Sequence, residues 1–112
     1  MRNYILILFS VFHIFCFSQK NDSLQAIAYG KQSDSIKVDA LYKLFFQEVY
    51  SDVNKSKKYY TDIFKIAKSK NSNFAYAKGY NCKGVFCDIS GKLDSAYFFY
   101  NRAIDYGEKS NY

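Results

Sequence analysis

Between Ser35 and Lys109, apolar side chains recur at spacings of three and four, the period that gathers them on one face of an α-helix. Val38, Leu41, Tyr42, Phe45 and Val49 form the first stripe and predict a helix from Ser35 to about Tyr50. Asp34 is its expected N-cap, because a carboxylate there accepts from the free amides of the first turn. Ser51, Asp52 and Asn54 compete for the backbone and predict a turn. Ser56, Tyr60, Ile63 and Ala67, with Tyr59 and Ile66 beside them, predict a second helix over Asn54 to Lys70. Small polar residues break the pattern before Ala77, Tyr80, Gly84 and Val85 predict a third helix from Phe74 to Ile89. Gly91 suits the left-handed position that ends it. Ala96, Tyr100, Ala103 and Gly107, with Leu93, Tyr97 and Ile104 alongside, predict a fourth helix from Leu93 to Lys109. Short turns between four helices imply antiparallel hairpins. The preceding residues 19–34 are polar, with one short apolar patch at Leu24, Ala26, Ile27 and Ala28, and read as a linker or a capping turn of helix.

The start of the chain follows a different rule. Arg2 precedes fourteen mostly apolar residues, Tyr4 to Phe17, and Ser18 is the first small polar exit, so residues 1–18 read as a secretory signal peptide. Fourteen residues are short of the roughly 20 that a spanning helix needs. Cys16 and Ser18 satisfy the small-residue rule for a cut before Gln19, whereas Phe15 sits badly for lipidation of Cys16. The alternative, a buried N-terminal helix, asks for a larger core than the remaining residues supply. The expected address is therefore export, to the periplasm or cell surface, with membrane attachment only through the leader or a further C-terminal segment.

Composition narrows the chemistry. Among 112 residues there is no proline and there are only five glycines, against twelve tyrosines and eleven phenylalanines, which favours long helices packed through aromatic rings. The one histidine, His13, falls in the leader, so the exported chain lacks the base of a Ser-His-Asp or Cys-His system and the imidazole of a zinc site. Cys82 and Cys87 lie five residues apart, about 140° around a helix, and cannot bridge within it. They read as small core hydrophobes, with an intermolecular disulfide as the alternative; neither a metal site nor a cofactor is implied. Asp88 and Asp94 are not placed across a cleft, and no catalytic residue is expected. The net charge of +6 is densest over Lys55, Lys57, Lys58, Lys65, Lys68 and Lys70, opposed only by Asp62. These lysines spread around the helix without a recognition or stacking motif, so a solvated face is preferred to a nucleic-acid or anionic-lipid surface.

Shifting the chain by forty residues aligns the second hairpin on the first without a gap. Lys43 meets Lys83, Phe46 meets Phe86, Glu48 meets Asp88, Ser56 meets Ala96, Tyr60 meets Tyr100 and Asn71 meets Asn111. Such self-similarity marks a helical-hairpin repeat. The second hairpin resembles a tetratricopeptide repeat, through Tyr80, Gly84, Ala96, Tyr100 and Ala103, with Lys83, Cys87 and Glu108 departing from the family pattern. Gly84, Ala96 and Ala103 are expected where helices cross closely, with Tyr80 and Tyr100 filling the space beside them. The resemblance implies an all-α stack of antiparallel hairpins, an α-solenoid, with an ordinary four-helix bundle as the alternative. A period of forty, longer than the family's thirty-four, predicts a longer connection around Lys68 to Phe74. It further implies a protein or peptide ligand in a concave groove, carried onto Lys78, Asn81, Val85 and Asp88, with Lys43 contributing. Leaders followed by such repeats look like the exported N-terminal regions of bacterial signalling proteins. The expectation is thus a non-catalytic interaction module from the sensing or scaffold part of a longer protein, with the sensory end of a histidine kinase or a self-contained adaptor as alternatives. Two hairpins are fewer than the three such arrays usually need, so a truncated array, and self-association through an uncapped edge, are also expected.

Overall fold

The computed structural model describes residues 21–111, and the expected leader lies outside them. Every regular element among the described residues is an α-helix. Residues 21–28 form α1; α2 is Asp34–Glu48, α3 Val53–Lys70, α4 Asn73–Ile89 and α5 Leu93–Lys109. The segment read as a linker or capping turn is thus helical, and Ala28 is buried with Leu24 and Ile27 packed against the core. Two side-chain bonds pin it to α3: Gln25 Nε2 donates to the Tyr59 hydroxyl at 2.6 Å, and the Tyr29 hydroxyl donates to Asp62 at 2.7 Å.

Local chemistry explains the boundaries. Asp34 is not a cap but the first residue of α2; Ser33 precedes it in extended geometry with no side-chain bond to a helix amide, and the Asp34 carboxylate lies 3.9 Å from Lys70. The capping role belongs to Asp52 and Ser72, which accept from the amides of Lys55 at 3.0 Å and Ala75 at 3.1 Å. Helices α3 and α4 end alike. Asn71 (φ 49°) and Gly91 (φ 78°) are left-handed, and the next amides, Ser72 and Lys92, reach back to Ala67 and Cys87 carbonyls at 3.0 and 2.8 Å. Asn111, the residue paired with Asn71 by the forty-residue shift, has the same left-handed backbone at φ 58°.

Only Asn71 and Ser72 separate α3 from α4, so the long period does not come from a long connection. It comes from the helices, which run 15 to 18 residues. Helix α2 packs on α3 and α4, α3 on α4, and α4 on α5, while neither α2 nor α3 touches α5.

The core lies between α1, α2, α3 and α4. Val38, Leu41, Leu44 and Phe45 of α2, with Val49 at its C-cap, meet Tyr59, Tyr60, Ile63 and Ala67 of α3, and each large side chain so buried contributes ~1.5–3 kcal/mol of transfer free energy. Tyr42, expected on the buried stripe, is only half-buried. Ser56 sits fully buried where the second hairpin has Ala96, and its hydroxyl donates to the Val53 carbonyl at 2.6 Å, which satisfies the buried oxygen. The underside of α4 is small: Ala75, Gly79 and Cys82 are buried there, and a Cβ on Gly79 would lie 3.0 Å from the Phe64 ring. Cys82 and Cys87 are both buried and free, as small core residues, and burial pushes the Cys82 thiol well above its ordinary range. Helix α5 is different. Ala96 is its only buried residue, while Leu93, Tyr97, Phe98 and Ile104 are exposed.

Candidate functional site

A groove of about 260 Å³ runs between α4 and α5. Ala77, Lys78 and Asn81 form its α4 wall, and Tyr100, Ala103, Ile104 and Gly107 its α5 wall. Two sets of residues singled out from sequence for different reasons therefore meet here: Lys78 and Asn81 as partner-binding, Tyr100 and Ala103 as repeat-packing.

Gly84 sets the closeness of the helices at one end. A Cβ there would lie 2.6 and 2.7 Å from Tyr100 Cδ1 and Cε1, so the ring rests against backbone that only glycine leaves bare. Burial, with Asp88 beside it, raises the Tyr100 phenol above its ordinary value. Asp88 is exposed, and Val85 is half-buried against the core; both flank the groove instead of lining it. Ala103 is half-buried and belongs to the groove's α5 wall. The ammonium of Lys78 stands 4.3 Å from the Tyr42 ring centre and 5.8 Å from that of Phe74, drawn across the front of the α2–α4 pair by the ring faces.

Lys43 contributes elsewhere. With Leu24, Tyr42, Phe46 and Gln47 it lines a separate depression between α1 and α2. Tyr42 and Phe46 meet there at 4.8 Å between ring centres.

A third feature escaped the sequence reading. On the side of α4 and α5 away from the groove, four rings lie nearly parallel: Tyr76 on Tyr106 at 4.8 Å, Tyr106 on Tyr80 at 5.6 Å and Tyr80 on Phe99 at 6.0 Å. Lys83 stands 4.5 Å over Phe99, and Arg102 lies over Tyr80 and Tyr106 at 5.6 and 5.5 Å. The signal was present as Tyr76 and Tyr80 one turn apart, facing Phe99 and Tyr106 two turns apart. Tyr80 is therefore a packing residue, stacked on rings instead of filling a gap beside Gly84.

Much of the lysine strip of α3 is engaged locally. Lys55 pairs with Glu48 at 3.3 Å, Lys65 with Asp62 at 3.5 Å and Lys70 with Asp34 at 3.9 Å, and Lys58 lies 5.1 Å from the Tyr29 ring centre. Among the described residues no cluster of His, Cys, Asp or Glu has the makings of a metal site, and no helix is long and apolar enough to cross a membrane.

The groove has an internal counterpart. Shifted by forty, Lys78, Asn81, Tyr100, Ala103, Ile104 and Gly107 become Val38, Leu41, Tyr60, Ile63, Phe64 and Ala67. Those residues are the seat on which α4 lies: Phe86 packs on Tyr60 at 5.4 Å, Tyr80 on Phe64 at 4.9 Å, and Ile63 and Ala67 are fully buried. Compared with protein-family models, curated proteins and solved structures, the chain matches none of them.

Proposed function

We propose that this chain is an exported, non-catalytic interaction module built as a tetratricopeptide-like stack of helical hairpins, which holds a protein partner in the groove between α4 and α5. The observation that carries this reading is the pair of equivalent seats. One lies on α2 and α3 and is filled by α4; the other, on α4 and α5, is covered by none of the described residues and keeps an apolar wall of Tyr100, Ala103 and Ile104. Open apolar grooves edged by a few polar groups are the usual places where proteins receive partners. The order of helix contacts, each helix on its neighbour and α2 also on α4, supports a stack over a closed four-helix bundle, in which the first and last helices would meet. Within a longer signalling protein, such a module serves as the sensing or scaffold part.

Selection of displayed peptides on the full chain tests this, with counter-selection on a Lys78→Glu/Asn81→Ala variant. A consensus recovered by the parent and lost by the variant is expected. Failure to enrich any sequence, or a consensus held equally by both proteins, refutes the groove as the binding surface.

A further inference from the structure

We infer that the chain has a second docking surface, on the side of α4 away from the groove, where the cleft between α3 and α5 binds an acidic segment of a partner protein.

Comparing the two hairpins through the forty-residue shift shows how that cleft is made. In the first hairpin Tyr59 and Asp62 of α3 tie α1 down, accepting from Gln25 and Tyr29 at 2.6 and 2.7 Å. In the second hairpin those two acceptors become Phe99 and Arg102, while Ile36 and Ala40 become the larger Tyr76 and Tyr80. A phenyl ring and a guanidinium accept no hydrogen bond, so α5 has no such tie to α3, and the two helices do not touch. Both walls and the floor of the cleft are described helices. A helix continuing the stack after α5 would take the α4–α5 seat on the other side of the hairpin.

Charge is sorted in the same way. Lys55, Lys65 and Lys70 of α3 pair with carboxylates and Lys58 lies over the Tyr29 ring. Lys57 and Lys68 are exposed, form no ion pair or ring contact among the described residues, and share the helical face of Phe64. Phe64 belongs to the cleft: it meets Tyr80 of α4 at 4.9 Å, and the Lys83 ammonium stands between the walls, 6.0 Å from the Phe64 ring centre and 4.5 Å from that of Phe99. Arg102 and Lys109 rest on ring faces of the α5 side. Such contacts hold a cation in place without neutralising it. Asp105 and Glu108 share a depression with Arg102, Tyr106 and Lys109 but form no ion pair with them. The cations that converge on the cleft are thus the ones left without a carboxylate, and where the first hairpin has Asp62 the sign is reversed to Arg102.

The rings select among anionic occupants. Their faces are taken, by one another and by Lys83, Arg102 and Lys109, which leaves none for a nucleobase or a sugar ring to lie on. Lys83 is half-buried between two helices, out of reach of a flat bilayer surface. Carboxylates on a flexible polypeptide reach it, and the planar fork of Arg102 matches a carboxylate bidentately.

The probe is a fluorescently labelled peptide in which glutamate alternates with alanine, so that an extended chain sets its carboxylates on one side. Binding to the full chain is followed by anisotropy. Saturable binding that weakens as salt rises is expected, reduced roughly tenfold by Lys57→Gln/Lys68→Gln and by Arg102→Gln. The control Lys55→Gln/Lys65→Gln removes the same charge from the same helix at paired positions and should change affinity by less than roughly twofold. The substituted residues are exposed, so the variants keep their fold, which circular dichroism verifies. No binding, or equal loss from the two lysine pairs, overturns the inference. So does tighter binding of polygalacturonate, oligothymidylate or phosphatidylglycerol vesicles with the same dependence on Lys57 and Lys68, which gives the cleft to a glycan, a nucleic acid or a membrane. Peptide binding lost in a Lys78→Gln protein and kept in Lys57→Gln/Lys68→Gln would leave the groove reading standing while this one falls.

Discussion

Adding one methyl group at Gly84 measures how firmly Tyr100 is seated. In a helix interior, Gly→Ala normally stabilises by ~1 kcal/mol through reduced backbone freedom. At Gly84 the new Cβ would lie 2.6 and 2.7 Å from two Tyr100 ring atoms and 3.1 Å from Cγ, the atom nearest the backbone. The ring cannot swing its far end aside; either χ1 leaves its rotamer or α4 and α5 separate. Overpacking of this kind costs ~1–3 kcal/mol, so Gly84→Ala is expected to destabilise by about 1 kcal/mol net. Gly107 provides the control, being on the same groove with nothing within 4 Å of its added Cβ. Gly107→Ala should stabilise by ~0.5 kcal/mol, less than the full propensity because it lies in the last turn. Urea titrations followed at 222 nm give both values. Truncating the ring closes a double-mutant cycle: in a Tyr100→Ala background, Gly84→Ala should turn stabilising, with a coupling of ~1–2 kcal/mol. If Gly84→Ala stabilises the parent as much as Gly107→Ala does, Tyr100 does not rest on Gly84, and the groove floor is drawn wrongly.

Other outcomes follow from the same geometry. Asn71→Ala should cost about 1 kcal/mol by chemical denaturation, because φ is 49° there, while Asn71→Gly should be near neutral; equal effects would deny the left-handed turn. The phenols of Tyr29, Tyr60 and Tyr100 are all raised above their ordinary value of 10, chiefly by burial, with Asp62 adding to the effect at Tyr29 and Asp88 at Tyr100. A raised folded value means the unfolded chain loses its protons first, so this stability is intact below pH 10 and declines as pH climbs above it. Urea midpoints should accordingly fall above about pH 10, and fall less steeply in Tyr29→Phe; a slope unchanged by that substitution counts against the Tyr29–Asp62 bond. Expressed with its leader, the chain should be recovered outside the cytoplasm with Gln19 as its first residue by N-terminal sequencing. Recovery with the leader intact refutes the expected cleavage.

The helices of this protein were legible because period and punctuation agree along the chain. Val38, Leu41, Phe45 and Val49 are buried as their spacing demands, and Gly91 ends α4 in the backbone its lack of Cβ suggests. Small polar residues were harder to place. Asp34, Ser51 and Asp52 all had the chemistry of a cap, and which one caps depends on where the preceding turn delivers the chain, a tertiary matter. Helix α1 was obscured because its contacts are distant ones: Gln25 and Tyr29 find partners 34 and 33 residues away. At the groove, the residue types were visible but their grouping was not. Val85 and Asp88 share the helical face of Lys78 and Asn81, yet one packs on the core and the other stands beyond the groove's end. The aromatic ladder was missed for a related reason, since rings at helical spacing look the same in a sequence whether they fill a core or stack along a surface.

That α5 leans on α4 alone, with Ala96 its one buried residue, makes the molecule a graded object in time as well as in space. Amide protons should exchange with solvent fastest along α5 and slowest in α2 and α3, where both sides are covered. A partner lying across α4 and α5 would even out that gradient, so occupancy would be felt as a stiffening of the last hairpin before any change of shape. A sensor made this way would report its ligand through the persistence of a helix.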